Sequence, residues 1–367
     1  MVAPLIFLAL LVLSPAWIPF VSAQSAFVAT VHVGTMPNGM AYDPAKGEVF
    51  VADEGSDQVT VVSDTMNEQV DTVGGLNQPV GVAYDSARGE VFVSESGDNT
   101  VSVISDSSNG VVATVSVGGD PLGIEYDSGR GEVFVTDASA NTVSVISDSN
   151  NTVVATIGVG SEPYGAAYDS AKGEVFITNF GSDTVSVISD SSNAIVATVP
   201  VGNSPNRIAY DPSRGEIFVG NYGSDTVSVI SDSTNQVAAT ISVGSEPLGI
   251  AYDSGVGEVF VANYGADTIS VISDSTEKVV ATVNLENGSS PDRVVYDSGR
   301  SEIFVANYAS STLSVVSDAT TATSSSSSAG FSSVSLSYIG LVGINAVLLL
   351  VVGALVGTSR KHRIHQP

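Results

Sequence analysis

Seven Tyr-Asp pairs set the frame of this chain. They stand at Tyr42-Asp43, Tyr84-Asp85, Tyr126-Asp127, Tyr168-Asp169, Tyr210-Asp211, Tyr252-Asp253 and Tyr296-Asp297, in steps of 42, 42, 42, 42, 42 and 44 residues. A fixed period near 40 restricts the fold to a solenoid, a propeller or a linear array, because each unit must bury apolar surface against the next. The pattern inside one unit chooses among these. Residues 247–283 contain PLGIAYD, GEVFVAN, TISVISD and VVATV, four short β-branched or aromatic runs broken by NYGAD and STEK. No window carries apolar residues at helical spacing for long enough to make a helix. Four strands per unit, joined by tight turns, build one propeller blade. Both faces of the runs are apolar, as expected where each blade packs against two neighbours.

The turns have their own chemistry. Gly and Asx residues in NYGSD (221–225) supply positive φ and side-chain caps. Pro79, Pro121, Pro163, Pro205, Pro247 and Pro291 stand before the first strand of their units, where no ladder donor is needed. The strand count then predicts closure. The seventh unit ends at TLSVVSDATT (312–321) without its fourth strand, and FVATVHVG (27–34) is that strand without the preceding three. Pairing the two closes an all-β, seven-bladed propeller of four-stranded blades over 24–319 and removes an open sheet edge. An open superhelical array is the alternative.

The repeated unit, P-x-G-I-A-Y-D through G-E-V-F-V-A-N and T-V-S-V-I-S-D to V-V-A-T-V, resembles the YVTN-type β-propeller repeat family. The Val/Ile-x-Asn core of that motif appears at Ile177-Thr178-Asn179, Val219-Gly220-Asn221, Val261-Ala262-Asn263 and Val305-Ala306-Asn307. The likeness covers residues 27–318. The first three units depart from it, with Asp53, Glu95 and Asp137 in place of Asn. The resemblance implies a seven-bladed ring of the kind common in archaeal surface-layer and other cell-surface proteins.

Both ends read as targeting segments. Residues 1–23 are an apolar run closing on Val21-Ser22-Ala23, which fits a signal-peptidase site; an uncleaved anchor is the alternative. Residues 320–333 form a Ser/Thr-rich stalk. Residues 338–356 are 19 uncharged residues, long enough for a transmembrane helix, and the tail 357–367 carries Arg360, Lys361 and Arg363. Basic residues favour the cytoplasmic side, so the expected topology is a single-pass type I membrane protein with an extracellular propeller. Gly353 and Gly357 have the spacing of a helix-dimerising face.

Charge and composition narrow the chemistry. There are 39 acidic against 12 basic residues, a net charge of −27, which excludes nucleic acid as an expected partner. With no cysteine, thiol catalysis, disulfides and thiolate metal sites are absent. His32 is the one histidine of the propeller, so a Ser-His-Asp apparatus has no second candidate base. A seven-bladed antibiotic lyase is similar in architecture, but such an enzyme is expected to need a catalytic histidine near the central face. No cofactor is expected, although rim carboxylates such as Asp211 and Asp232, which share a face, could take Ca²⁺ if they are not turn caps. Lys46, Arg88, Arg130, Lys172 and Arg214 are expected to pair with nearby carboxylates.

The opposite rim is where the repeats disagree. Units four to seven place Asn179-Phe180, Asn221-Tyr222, Asn263-Tyr264 and Asn307-Tyr308 there, against Asp53-Glu54, Glu95-Ser96 and Asp137-Ala138 in units one to three. Arg207 and Arg293 replace the glycine beside the first strand of two units. These ten aromatic, amide and arginine positions are the candidate binding residues for a glycan or peptide, unless the aromatics pack between blades. The 44-residue unit holds a sequon, Asn287-Gly288-Ser289, as a candidate glycosylation site. The expected function is a cell-surface binding, adhesion or surface-layer assembly module, with a surface protein, a glycan or a second copy as partner. The alternative is an extracellular carboxylate-dependent hydrolase or lyase working at the channel mouth.

Overall fold

The computed structural model describes residues 27–285 and 288–318. Four segments expected from sequence lie outside these: signal peptide, stalk, membrane span and basic tail. So does the sequon residue Asn287. Among the described residues no helix is long and apolar enough to cross a membrane.

Seven four-stranded antiparallel sheets form the seven blades. In the first, Pro37–Asp43 is innermost, followed by Glu48–Asp53, Gln58–Ser63 and the outermost Glu68–Gly74. The seventh is assembled from both ends of the domain: Pro291–Asp297, Glu302–Asn307 and Thr312–Ser317 pair in turn, and Phe27–His32 completes it. Val31 sits opposite Leu313 and His32 opposite Thr312. The closure predicted from the missing strand is therefore present. Each inner strand touches the next around the ring, including the first and the last. The prolines are the first residues of the inner strands, with Pro37 added to the six seen in the sequence.

One phenylalanine per blade explains why the repeat is so strict. Phe50, Phe92, Phe134, Phe176, Phe218, Phe260 and Phe304 lie at the centre of the second strands and are all fully buried. Each points into the next blade. Phe50 packs on Val91, Val93 and Ile104, and Phe218 on Val259, Val261 and Ile272. Phe304 packs on Val49, Val51 and Val62, joining the last blade to the first. Seven equivalent junctions need seven equivalent sentences, because each core is shared by two successive units.

The apolar character of both faces does not hold for the outermost strands. Val112, Val154, Val196 and Val280 are exposed. Blades diverge from the axis, so these faces are left to solvent, while Val73, Val115, Ile157, Val199 and Ile241 of the same strands stay buried.

The Tyr-Asp pairs tie the lower rim together. Asp43 Oδ1 accepts from the amides of Ala45 at 2.8 Å and Lys46 at 3.3 Å, capping its turn. Tyr42 donates to Asp64 Oδ2 at 3.0 Å and lies against Asp297 of the preceding blade. Tyr84 stands likewise between Asp106 and Asp43, and Tyr126 between Asp148 and Asp85. Burial, then the flanking carboxylates, push these phenols well above their ordinary range, so they remain donors. Gly47, with φ +66°, closes the same turn, and a Cβ there would meet Asp64 Oδ1 at 2.5 Å.

Lys46 and Lys172 bridge to the next blade, at 3.7 Å to Asp106 and 3.4 Å to Asp232. Arg88, Arg130, Arg214 and Arg300 pair within their blades with the glutamate two residues on. Half-exposed pairs of this kind are worth about 0–1 kcal/mol each. Asp211 is a turn cap too: its Oδ1 accepts from Ser213 N at 2.7 Å. Among the described residues no three acidic, histidine or cysteine side chains converge as a metal site. His32 is exposed on the closing strand.

Candidate functional site

The repeat is least regular where the chain approaches the ring axis. Each inner strand runs Pro, a variable residue, a third position and then an apolar stretch ending in Tyr-Asp. The variable residues are Asn38, Val80, Leu122, Tyr164, Asn206, Leu248 and Asp292. On the upper rim they meet the turns between second and third strands. Asn38, Tyr164, Leu248 and Asp292 from the inner strands, with Glu54, Tyr222, Tyr264 and Tyr308 from those turns, border a cavity of about 280 Å³ at the channel mouth. A wider opening of about 520 Å³ on the lower side is lined by Tyr42, Tyr84, Tyr126 and Tyr168, whose hydroxyls the blade ties already use, and by Glu125.

The ten candidate residues divide in two. Tyr222, Tyr264 and Tyr308 are half-buried and face the upper cavity. Phe180 joins them through a chain of tilted rings, 6.2 Å from Tyr164 and 6.3 Å from Tyr222 between centroids. The four asparagines lie beneath the rim, not on it, and are at most 2% exposed. Asn179 Nδ2 donates to Thr184 Oγ1 at 3.1 Å and Ser186 Oγ at 3.0 Å, while its Oδ1 accepts from Gly160 N at 3.0 Å. Asn221, Asn263 and Asn307 make the same bonds to the third strand. Their amides hold the turn to the blade and are not offered to a ligand.

The acidic counterparts in blades one to three occupy the same buried place and exchange donor for acceptor. Thr60 Oγ1 donates to Asp53, and Thr142 and Ser144 donate to Asp137 Oδ2 at 2.9 and 2.8 Å. Burial lifts the Asp53 carboxyl from 3.8 to about 6, with the bonds from Thr60 and Gln58 opposing it. The folded chain thus holds this proton more tightly than the unfolded one, and stability falls as pH rises from about 4 to about 6, then levels. Asp53→Asn, the residue of blades four to seven, is expected to match the parent below pH 4 and to exceed it at pH 7 by about 1–3 kcal/mol. Urea unfolding at the two pH values checks this; a gain that is the same at both would refute the assignment.

Two residues sequence reasoning placed near the rim lie deeper. Arg207 is 2% exposed and reaches across the axis from the fifth blade to the first, where its Nη2 donates to Asn38 Oδ1 at 3.2 Å. Its guanidinium sits 4.5 Å from the centre of the Tyr164 ring. Arg293, half-buried, interacts electrostatically with Arg207, Asp292, Tyr164 and Glu125, which come from other blades except for its chain neighbour Asp292. It therefore points into the channel. Burial, then Arg207, lower its pKa to about 9. Burial raises Asp292, opposed by both arginines, and lifts Glu125 to about 8. Glu54 is raised by burial as well, against a 3.5 Å bond from Asn38 Nδ2. Tyr164, Leu248, Asp292 and Glu125 were missed in the sequence. Their signal was the variable second position of the inner strand and, for Glu125, an acid where six units carry Ala or Val.

Residues 165–347 match the family model described as YNCE-like beta-propeller. Among solved structures the chain is similar to hydrazine synthase of Kuenenia stuttgartiensis, at 17% identity and a TM-score of 0.68, over 77% of this chain and 97% of that one. At this identity the likeness speaks for the fold alone. No curated protein matches the sequence.

Proposed function

From the premise that the chain is a seven-bladed β-propeller repeat protein, we propose that it is a binding module, membrane-anchored and displayed outside the cell, with the upper mouth of the channel as its ligand site. One observation carries the reading: Tyr164, Tyr222, Tyr264 and Tyr308, from four different blades, converge on one cavity. Tyrosine offers a large apolar face and a polar tip, so such a wall suits a sugar ring or an extended peptide. A Ser-rich stalk and a C-terminal span would hold the ring away from the membrane. Neighbouring surface-layer subunits, a cell-surface protein or a glycan are the partner classes.

A screen of the purified full-length chain in detergent against glycans and cell-surface proteins tests the proposal. Tyr222→Ala with Tyr264→Ala is expected to weaken the bound ligand by about tenfold to a thousandfold, the range for losing two aromatic anchors. Absence of both binding and self-association in the parent chain would sink it. A second reading, a carboxylate-dependent hydrolase or lyase, draws on Glu54 and Asp292, two acids on the same cavity. It predicts turnover that Glu54→Gln and Asp292→Asn abolish while binding survives.

A further inference from the structure

We propose that the channel axis takes an organic carboxylate, gripped by the guanidinium groups of Arg207 and Arg293, while the tyrosines of the upper mouth enclose the rest of the molecule. The proposal deepens the binding reading and rests on it for the location of the site.

The arginines stand where the fold otherwise demands glycine. In five blades the third position of the inner strand is Gly39, Gly81, Gly123, Gly165 or Gly249. A Cβ there would come within 2.1–2.6 Å of a carbonyl oxygen of the next blade. Two blades give up that close approach, and their surroundings change with it. Beside Arg207, the second strand carries Gly220, where the other blades have Ala, Ser or Thr. In the seventh blade the inner strand keeps the common register but pairs at one further position, Arg293 opposite Ala306. The hydroxyl clip of blades two to four is missing in both, as it is in blades one and six, which carry Ala52 and Ala262 there. In blades two to four Ser94, Thr136 and Thr178 donate to the next inner strand, as in Ser94 Oγ to Leu122 O at 2.8 Å.

The charge so installed is under-matched. Arg207 Nε and Nη1 and Arg293 Nε are buried without a hydrogen-bond partner. Neither arginine belongs to any of the six ion pairs among the described residues. Buried donors and buried charge are costly unless paired, and two like charges together are costlier. Asp292 and Glu125 are the acids beside them: burial raises Asp292 against the pull of both arginines and lifts Glu125 to about 8. A bound anion would supply the acceptors these buried N–H groups lack, and a singly charged one is less costly to desolvate there than a phosphate dianion. The planar guanidinium fork fits a carboxylate in a two-bond geometry. Arg293 keeps part of its surface exposed beside Asp292, which borders the upper cavity. Arg207 is reached past the half-buried ring of Tyr164, which covers its face.

Calorimetric titration of the full-length chain in detergent with glucuronate, benzoate, glucose, benzyl alcohol and inorganic phosphate tests this. Glucuronate or benzoate should bind, their uncharged counterparts should not, and phosphate should bind about tenfold more weakly. Arg207→Gln and Arg293→Gln should each weaken the carboxylate by about tenfold or more, and Arg207→Lys should restore only part, lacking the fork. The proposal is overturned if neither carboxylate binds the parent chain, if glucose or benzyl alcohol binds as well, or if the doubly substituted chain binds unchanged. Should the Gln variants fail to fold by circular dichroism, the parent titrations and Arg207→Lys decide. Carboxylate binding that needs the arginines but ignores Tyr222→Ala and Tyr264→Ala would retain this site and remove the aromatic wall. Binding of uncharged ligands that needs the tyrosines and ignores the arginines would do the reverse.

Discussion

Phe304→Ala is expected to destabilise the ring by about 3–5 kcal/mol, the cost of emptying a fully buried aromatic site. The side chain is enclosed by Val31, Met40, Val49, Val51 and Val62 of the closing strand and first blade, and by Leu313 and Val315 of its own. Backbone pairing pins both sides of this junction, so the cavity has little room to collapse. Phe176→Ala empties the equivalent junction between the fourth and fifth blades, each of which is built from one continuous stretch of chain. Both substitutions should lower the urea midpoint strongly. Phe304→Ala should in addition raise proteolytic cleavage near residues 27–34, because the closing strand is held to the third strand of its own blade by pairing alone. A loss below about 1 kcal/mol, the level of a half-exposed residue, would contradict the shared-core account.

Deleting Phe27–His32 is the second large effect. The strand covers the third strand of the last blade, and Val31 is 3% exposed. Its removal takes away the burial of Val31 and the ladder bonds to Thr312–Ser317, about 3 kcal/mol or more together. It also leaves the edge of Thr312–Ser317 unpaired and open to other chains, so self-association should accompany the loss. Thermal unfolding and size-exclusion chromatography measure the two consequences. A synthetic peptide of residues 27–34, added in excess, should restore the transition; a shortened chain that is monomeric and equally stable would refute the closure energetics.

The blade count, the strand order and the closure were legible in the sequence because they follow from periodicity and from strand arithmetic. The 42-residue step gives the number of junctions, and a fourth strand found at the wrong end can pair in only one place. The role of the Tyr-Asp pair was half legible. The turn cap follows from local chain chemistry, as Asp43 shows with Ala45. The tie from Tyr84 back to Asp43 joins residues of different blades and has no local signature. The asparagines illustrate the opposite error. Asn179, Asn221, Asn263 and Asn307 vary with the rim but are buried beneath it, since polar residues at a strand end serve the third strand as readily as a ligand.

Sequence alone determined what repeats: four strands, seven junctions, one phenylalanine in each, and glycine where neighbouring inner strands nearly touch. Those features depend on contacts between equivalent positions one period apart, and a period can be read along the chain. Tertiary structure alone decided what happens at the axis. Arg207 and Asn38 are 169 residues apart and meet because a closed ring brings the fifth blade face to face with the first. Glu125, Tyr164, Asp292 and Arg293 share one channel for the same reason. No spacing encodes that meeting, because it depends on the curvature of the whole ring, and it is there that the protein departs from its own repeat.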